Sequence, residues 1–129
     1  MPAIEHFEDL QVWQLARTVT AKIYACSKNG PFSKDFGLRD QMQRAAVSIL
    51  SNVAEGFERR SDNSFHQFLS IANGSTAELR AQLYVALDQG YISRQKFDEL
   101  RDDIVRIGKM LASLMSYLRN SPPRDRKTD

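Results

Sequence analysis

From Phe97 to Leu118 the apolar residues Phe97, Leu100, Ile104, Ile107, Leu111, Leu114 and Leu118 follow one another in alternating steps of three and four without a miss. That spacing lays all seven on one stripe of an α-helix and cannot serve a half-buried strand, which needs a period of two. A helix with a single apolar stripe hides it against other helices, so this segment predicts a bundle seam. Two further segments carry the same period. Val12, Ala16, Val19, Ile23 and Cys26 mark a first helix, flanked by Trp13 and Tyr24, and Phe65, Phe68, Ala72, Ser75, Leu79, Leu83 and Ala86 mark a third, with Ser75 its polar member.

The segment between them, Gln41 to Arg60, is apolar around most of its circumference: Met42, Ala45, Ala46, Val47, Ile49, Leu50, Val53, Ala54 and Phe57. Arg44, Ser48, Ser51, Asn52, Glu55 and Arg59 fall within about a third of the circle at ~100° per residue, and all are polar. A helix this apolar is buried on more than one side, so the polar stripe faces a specific partner: another helix, another subunit or a nucleic acid.

Punctuation separates four helices. Asn29, Gly30 and Pro31 end the first, Ser61 to Ser64 break the second from the third, Ser64 and Gln67 form a capping-box pattern, Gly90 suits a C-terminal cap, and Ser93 caps the fourth. Short connections make sequential helices antiparallel, which predicts an all-α, up-down-up-down four-helix bundle over residues 1–120. From Ser121 the chain reads SPPRDRKTD, where adjacent prolines stop a helix and Arg124, Arg126 and Lys127 follow without an apolar residue. Residues 121–129 are expected to be a disordered basic tail.

The 18 basic and 16 acidic residues give a net charge of +2, short of the balance that marks nucleic-acid binding from composition alone. Position matters more than the sum. Residues 61 to 92 carry Asp62, Glu78 and Asp88 against Arg80 only, so the positive excess lies in Arg59 and Arg60, on the fourth helix and in the tail. The acidic start MPAIEHFEDL lacks the basic and apolar regions of a secretory signal, and no apolar run reaches the ~18 residues of a membrane span, so a cytoplasmic location without membrane contact is expected. Cys26 is the single cysteine and falls on an apolar stripe, as a buried inert thiol would.

Asn73, Gly74 and Ser75 stand in the middle of the third helix, where glycine costs ~1 kcal/mol relative to alanine. Close helix packing, in which a missing Cβ lets backbones approach, is the favoured explanation of Gly74 and Gly56, and access of a ligand or second subunit to the backbone is the alternative. Glu78 shares a face with Ser75, and a polar contact from either to the second helix's stripe is expected.

The usual constellations of chemistry are missing from this sequence. Neither His6 nor His66 follows a Glu by three residues, as a di-iron bundle requires, and there is no Cys pair, phosphate-binding glycine loop or nucleophile elbow. No metal, cofactor or catalytic residue is assigned. Arg60, five residues and then His66 resembles the Arg-x(4 to 6)-His signature of helical HEPN ribonucleases, in which imidazole does acid-base work on an RNA phosphate. A Ser-Asp-Asn-Ser break lies between the two, which favours ordinary interhelical loop charges.

DLQVW at Asp9 to Trp13, GLRDQMQRAAVSILSNVAEGFERRS at Gly37 to Ser61 and FHQFLSIANGSTAEL at Phe65 to Leu79 closely resemble the four-helix-bundle family encoded by intervening sequences of 23S rRNA genes. GYI at Gly90 to Ile92 and the Met110-Leu111 pair extend the resemblance over about residues 8 to 118. Leu50 stands where a proline is common, and Asn73 where a basic residue is common. The resemblance implies an up-down bundle that assembles as a homopentamer. It also implies kinship with the accessory protein of diversity-generating retroelements, a basic pentameric barrel that binds nucleic acid and a reverse transcriptase. It brings no catalytic residues.

A non-enzymatic, cytoplasmic homo-oligomer that binds structured RNA or another nucleic acid is therefore expected. Arg59, Arg60, Lys109, Arg124 and Arg126 are the candidate phosphate contacts. Arg44, Ser48, Asn52, Glu55, Ser75 and Glu78 are assigned to helix or subunit packing, with Arg44 expected to pair with Glu55 in an interface. A protein-binding scaffold that never meets nucleic acid is the alternative, and a ribonuclease using Arg60 and His66 the third reading.

Overall fold

A computed structural model describes residues 4–120; the expected tail, with Arg124 and Arg126, lies outside the described residues. Four α-helices make up the described chain: α1 (Gln11–Ser27), α2 (Phe36–Glu58), α3 (Asp62–Asp88) and α4 (Arg94–Asn120), with short 3-10 turns at Phe7–Asp9 and Gly30–Lys34 and no strand. At 1.5 Å per residue α3 and α4 are about 40 Å long and α1 about 25 Å.

The helix ends follow from local chemistry. The carboxylate of Asp35 accepts the Leu38 N–H and caps α2, five residues earlier than the predicted start at Gln41. Ser61 accepts the Ser64 N–H and caps α3. The predicted capping box at Ser64 and Gln67 is thereby displaced by one turn: Ser64 is already helical, and the break shrinks to Arg59, Arg60 and Ser61. Arg60 makes that turn possible by adopting φ 60°, a left-handed conformation uncommon outside glycine. Gly90 stands at φ 74° beyond α3; its N–H bonds to the Leu87 carbonyl and that of Tyr91 to Ala86, the paired closure that satisfies the last carbonyls of a helix. Ser93 accepts the Lys96 N–H at the start of α4.

Each helix packs on the next, and α4 closes on α1. The contacts fix the antiparallel sense. From Gly56 against Phe65 to Ser48 against Ser75, α3 advances as α2 recedes; from Tyr84 against Phe97 to His66 against Arg119, α4 advances as α3 recedes. The core is a continuous apolar cluster from all four helices, including Val19, Ile23, Met42, Ile49, Leu69, Leu79, Leu83, Leu100, Ile104 and Ile107, none of them more than 1% exposed. Each side chain of this size stabilises the fold by about 1.5–3 kcal/mol on burial.

The stripe of α4 is buried from Phe97 to Leu111, while Leu114 and Leu118 are half-buried as the helix runs toward its end. In α1 the fifth buried position is Ser27 rather than Cys26; Cys26 sits at the core's edge, and burial pushes its thiol above the ordinary cysteine range. In α3 the buried polar residues are Thr76, whose hydroxyl bonds back to the Ala72 carbonyl, and Gln82, while Ser75 is turned toward α2. Leu69 fills the core place assigned to Phe68. A γ-hydroxyl that satisfies itself one turn back costs little in a core, which is why the period shifts by one there.

Gly56 is forced by packing. A Cβ on it would lie 2.6 Å from the Cβ of Phe68 and 3.1 Å from the Phe65 ring. The same explanation fails for Gly74: a Cβ there would meet nothing within 4 Å, and the residue is exposed.

At the far end from the α2–α3 turn the two remaining connections are tied together. Tyr91 stacks on Phe32 with ring centroids 5.1 Å apart, and its hydroxyl donates to the Asp35 carboxylate at 2.9 Å. Lys22 of α1 reaches Glu99 at 2.7 Å and Asp103 at 3.3 Å, clasping α4; the ammonium holds the Glu99 carboxyl below the ordinary range.

Candidate nucleic-acid interface

A phosphate-binding face needs cations whose charge is not already spent on carboxylates. In the N-terminal part of α4, Arg94, Lys96 and Arg101 are matched by Asp98, Glu99, Asp102 and Asp103. Ion pairs there are dense: Arg94 with Asp98 at 3.2 Å, Lys96 with Glu99 at 3.4 Å, Arg101 with Asp102 at 3.1 Å. From Ile104 to Asn120 the same helix carries Arg106, Lys109 and Arg119 and no acidic residue. All three are exposed, and none forms an ion pair among the described residues.

Antiparallel packing sets this length of α4 beside the first half of α3, where residues 63–77 also lack any Asp or Glu. Gly108 lies 3.9 Å from the Thr76 methyl and 4.0 Å from the Asn73 Oδ1, measured from where its Cβ would be, so the helices run close at that level. Nearer the end, Arg119 Nη1 is 3.1 Å from His66 Nε2. Arg119 meets His66 across this seam; at ~100° per residue Lys109 stands on the outward side of α4, and Arg106 lies roughly 140° round from Arg119, on the side where Glu99 and Asp103 reach Lys22 of α1.

Of the residues predicted to touch phosphate, Lys109 is on this acid-free length of α4. Arg60 is exposed on the α2–α3 turn and makes no ion pair among the described residues. Arg59 is committed: its guanidinium bonds to Glu55 at 2.9 Å and lies over the Phe68 ring, 4.9 Å from the centroid. Within the chain Glu55 pairs with Arg59, one helical turn away, and three turns separate it from Arg44. Arg44 is exposed without an ion pair among the described residues.

The polar stripe of α2 meets α3 directly. Ser48 and Ser75 hydroxyls are 2.8 Å apart, and the Asn52 amide donates to the Ser48 carbonyl at 2.8 Å and to its hydroxyl at 3.0 Å. Glu78 is exposed, with the Gln82 amide donating to its carboxylate at 3.5 Å. His66 is brought to Arg119, 53 residues away in sequence, and no hydrogen bond joins it to Arg60 among the described residues. An open groove of about 590 Å³ along α1, between Glu8, Trp13, Arg17 and Lys22, offers no comparable set of free charges, since Lys22 is engaged by α4.

The model of the 23S rRNA-intervening sequence protein family matches residues 8–113. The chain belongs to that family. The crystal structure of a protein of unknown function from the S23 ribosomal protein family of Bacteroides thetaiotaomicron VPI-5482 is similar in fold, with a TM-score of 0.75 and 24% identity over 81% of this chain and 95% of the other. No curated protein matches the sequence. In this 23S rRNA-intervening sequence protein, Arg106, Arg119 and the partnership of His66 are what the sequence reading missed. The signal for the arginines was present as the acid-free run from Ile104 to Asn120. No described helix of this family member is long and apolar enough to cross a membrane.

Proposed function

We propose that this protein is a non-enzymatic, cytoplasmic, oligomeric bundle that holds structured RNA or another nucleic acid by its phosphates, through the acid-free length of α4 with Arg106, Lys109 and Arg119, and His66 of α3 beside its end. The observation that carries the reading is the segregation of charge along α4. The same helix that pairs every cation in its first third leaves Arg106, Lys109 and Arg119 exposed and without an ion pair among the described residues. Solubility alone gives no reason for such segregation; an anionic partner does. The family's description associates it with intervening sequences of 23S rRNA, which is in keeping with RNA as that partner.

Assembly into a homopentamer belongs to the same proposal. It is supported by α3, where Ile71 and Val85 are 53% and 45% exposed and Gly74, within a turn of Ile71, has a cost with no explanation inside the chain. Five copies of a chain of charge +2 would carry about +10, and a ring would focus that field on one surface. The exposed aliphatic residues also favour a second reading, in which this face receives a different protein and the bundle is a scaffold. Kinship with the nucleic-acid-binding accessory protein of diversity-generating retroelements would unite the two.

Fluorescence anisotropy with a labelled RNA hairpin tests the primary reading. Affinity is expected to fall steeply between 50 and 200 mM salt, with a log–log slope of about −2 or steeper, as counterions condensed on the phosphates are released on binding. No binding at the lowest salt would overturn it.

A further inference from the structure

His66 and Arg119 meet where α3 begins and α4 ends, with Nη1 of the guanidinium 3.1 Å from Nε2 of the imidazole. A guanidinium offers only donors, so the contact is a hydrogen bond only while Nε2 is a bare acceptor and the ring proton sits on Nδ1. A proton on Nε2 turns the pair into two N–H donors about 3 Å apart that no longer satisfy one another. One group relieves both at once: an anion whose oxygens accept from each. The spacing suits a phosphate bridging the two side chains, as charge-assisted pairs do.

We infer that His66 and Arg119 form a paired-donor site for a phosphate of the bound nucleic acid, and that His66 takes up a proton as that phosphate arrives. This rests on the phosphate-binding reading above and adds its dependence on pH. Arg119 faces the imidazole from α4, and Tyr117 precedes it on the same helix. Asp62 stands one turn before His66 on α3; Arg59, held by Glu55, and Arg60 occupy the turn from α2. Phosphate favours the protonated ring, so affinity rises as pH falls through the imidazole range, and that added affinity is lost as pH rises above it. With His66 neutral the site reverts to the internal His–Arg bond, and only the fixed charges of Arg106 and Lys109 hold the ligand.

The test measures anisotropy of one labelled RNA hairpin at constant ionic strength, at about pH 6 and about pH 8, for the wild type, His66→Gln, Arg119→Gln and His6→Gln. The wild type is expected to bind about fivefold more tightly at the lower pH, with both His66→Gln and Arg119→Gln flat and near the wild-type value at high pH. His6→Gln, which changes the chain's other histidine, keeps the wild-type ratio. In proton NMR the His66 ring titration should move to higher pH when RNA is added, a readout that a purely structural His66 would not give. RNA binding with equal affinity at the two pH values, or a wild-type ratio retained in His66→Gln, overturns the paired-donor site and leaves phosphate binding standing. Absence of RNA binding at low salt overturns both.

Discussion

At about pH 6, exchange of Arg106, Lys109 and Arg119 together for glutamine is expected to weaken RNA binding by roughly a hundredfold while leaving the fold intact. Each charge-assisted phosphate contact contributes about 1 kcal/mol net in water, so three amount to about 3 kcal/mol, which is a little over two decades in affinity. The log–log salt slope should become shallower by about 2 to 3, because three fewer counterions are displaced. All three residues are exposed, and none pairs with a carboxylate among the described residues, so glutamine leaves no buried charge uncompensated. Loss of Arg119 from the last turn of α4 removes a favourable interaction with the helix dipole, a matter of a few tenths of a kcal/mol. A control exchange of Arg94 and Arg101, which are equally cationic but paired with Asp98 and Asp102, should change affinity less than threefold. Equal losses from both sets would show that total charge matters and its segregation does not.

Gly56→Ala is expected to destabilise the bundle by about 2 kcal/mol, measured by urea unfolding, whereas Gly74→Ala should stabilise the isolated chain by up to about 1 kcal/mol. Gly74 is in the interior of α3 and Gly56 in the last turn of α2, so the methyl group adds helix propensity at both and most at Gly74. They differ in what the methyl meets. At Gly56 it would overlap the Phe68 Cβ at 2.6 Å and press on the Phe65 ring at 3.1 Å. The former atom is fixed to the α3 backbone and cannot swing aside, so α2 and α3 must separate along their most extensive contact. At Gly74 there is nothing within 4 Å. If Gly74 instead admits a neighbouring subunit, Gly74→Ala stabilises the monomer and weakens the assembly, which light scattering at matched concentrations separates from the unfolding result. A destabilised Gly74→Ala monomer would contradict this account of both positions.

Much of the fold was legible because the helices signal it locally. The unbroken period of α4 named its buried positions from Phe97 to Leu111, and Gly90 and Ser93 named the turn before it. Errors arose where a residue of the right type stood within a turn of the right place. Ser61 and Ser64 can both cap a helix, and the choice depends on Arg60 accepting a left-handed backbone, which sequence does not advertise. Thr76 and Ser75 can both interrupt an apolar stripe, and the choice depends on Ser48 waiting across the interface for one of them.

The candidate face was only half legible, for a different reason. Lys109 and the basic character of α4 can be read in one helix. The partnership of His66 with Arg119, and the placing of two acid-free segments side by side, depend on the antiparallel register of α3 on α4. The Arg60-x5-His66 pattern gave His66 the wrong neighbour because it read along the chain. Conversely, Arg59 looked available in sequence, and one helical turn to Glu55 and the Phe68 ring beneath it occupy it.

Backbone-amide NMR mapping of the wild-type protein titrated with an RNA hairpin tests the central claim most directly. The account predicts that the largest perturbations fall in two stretches that are distant in sequence and adjacent in the fold, residues 63–77 of α3 and 104–120 of α4, with α1 and the paired N-terminal part of α4 unmoved. Perturbations concentrated on α1 or along the Ser48–Ser75 seam, with the 104–120 stretch silent, would contradict it.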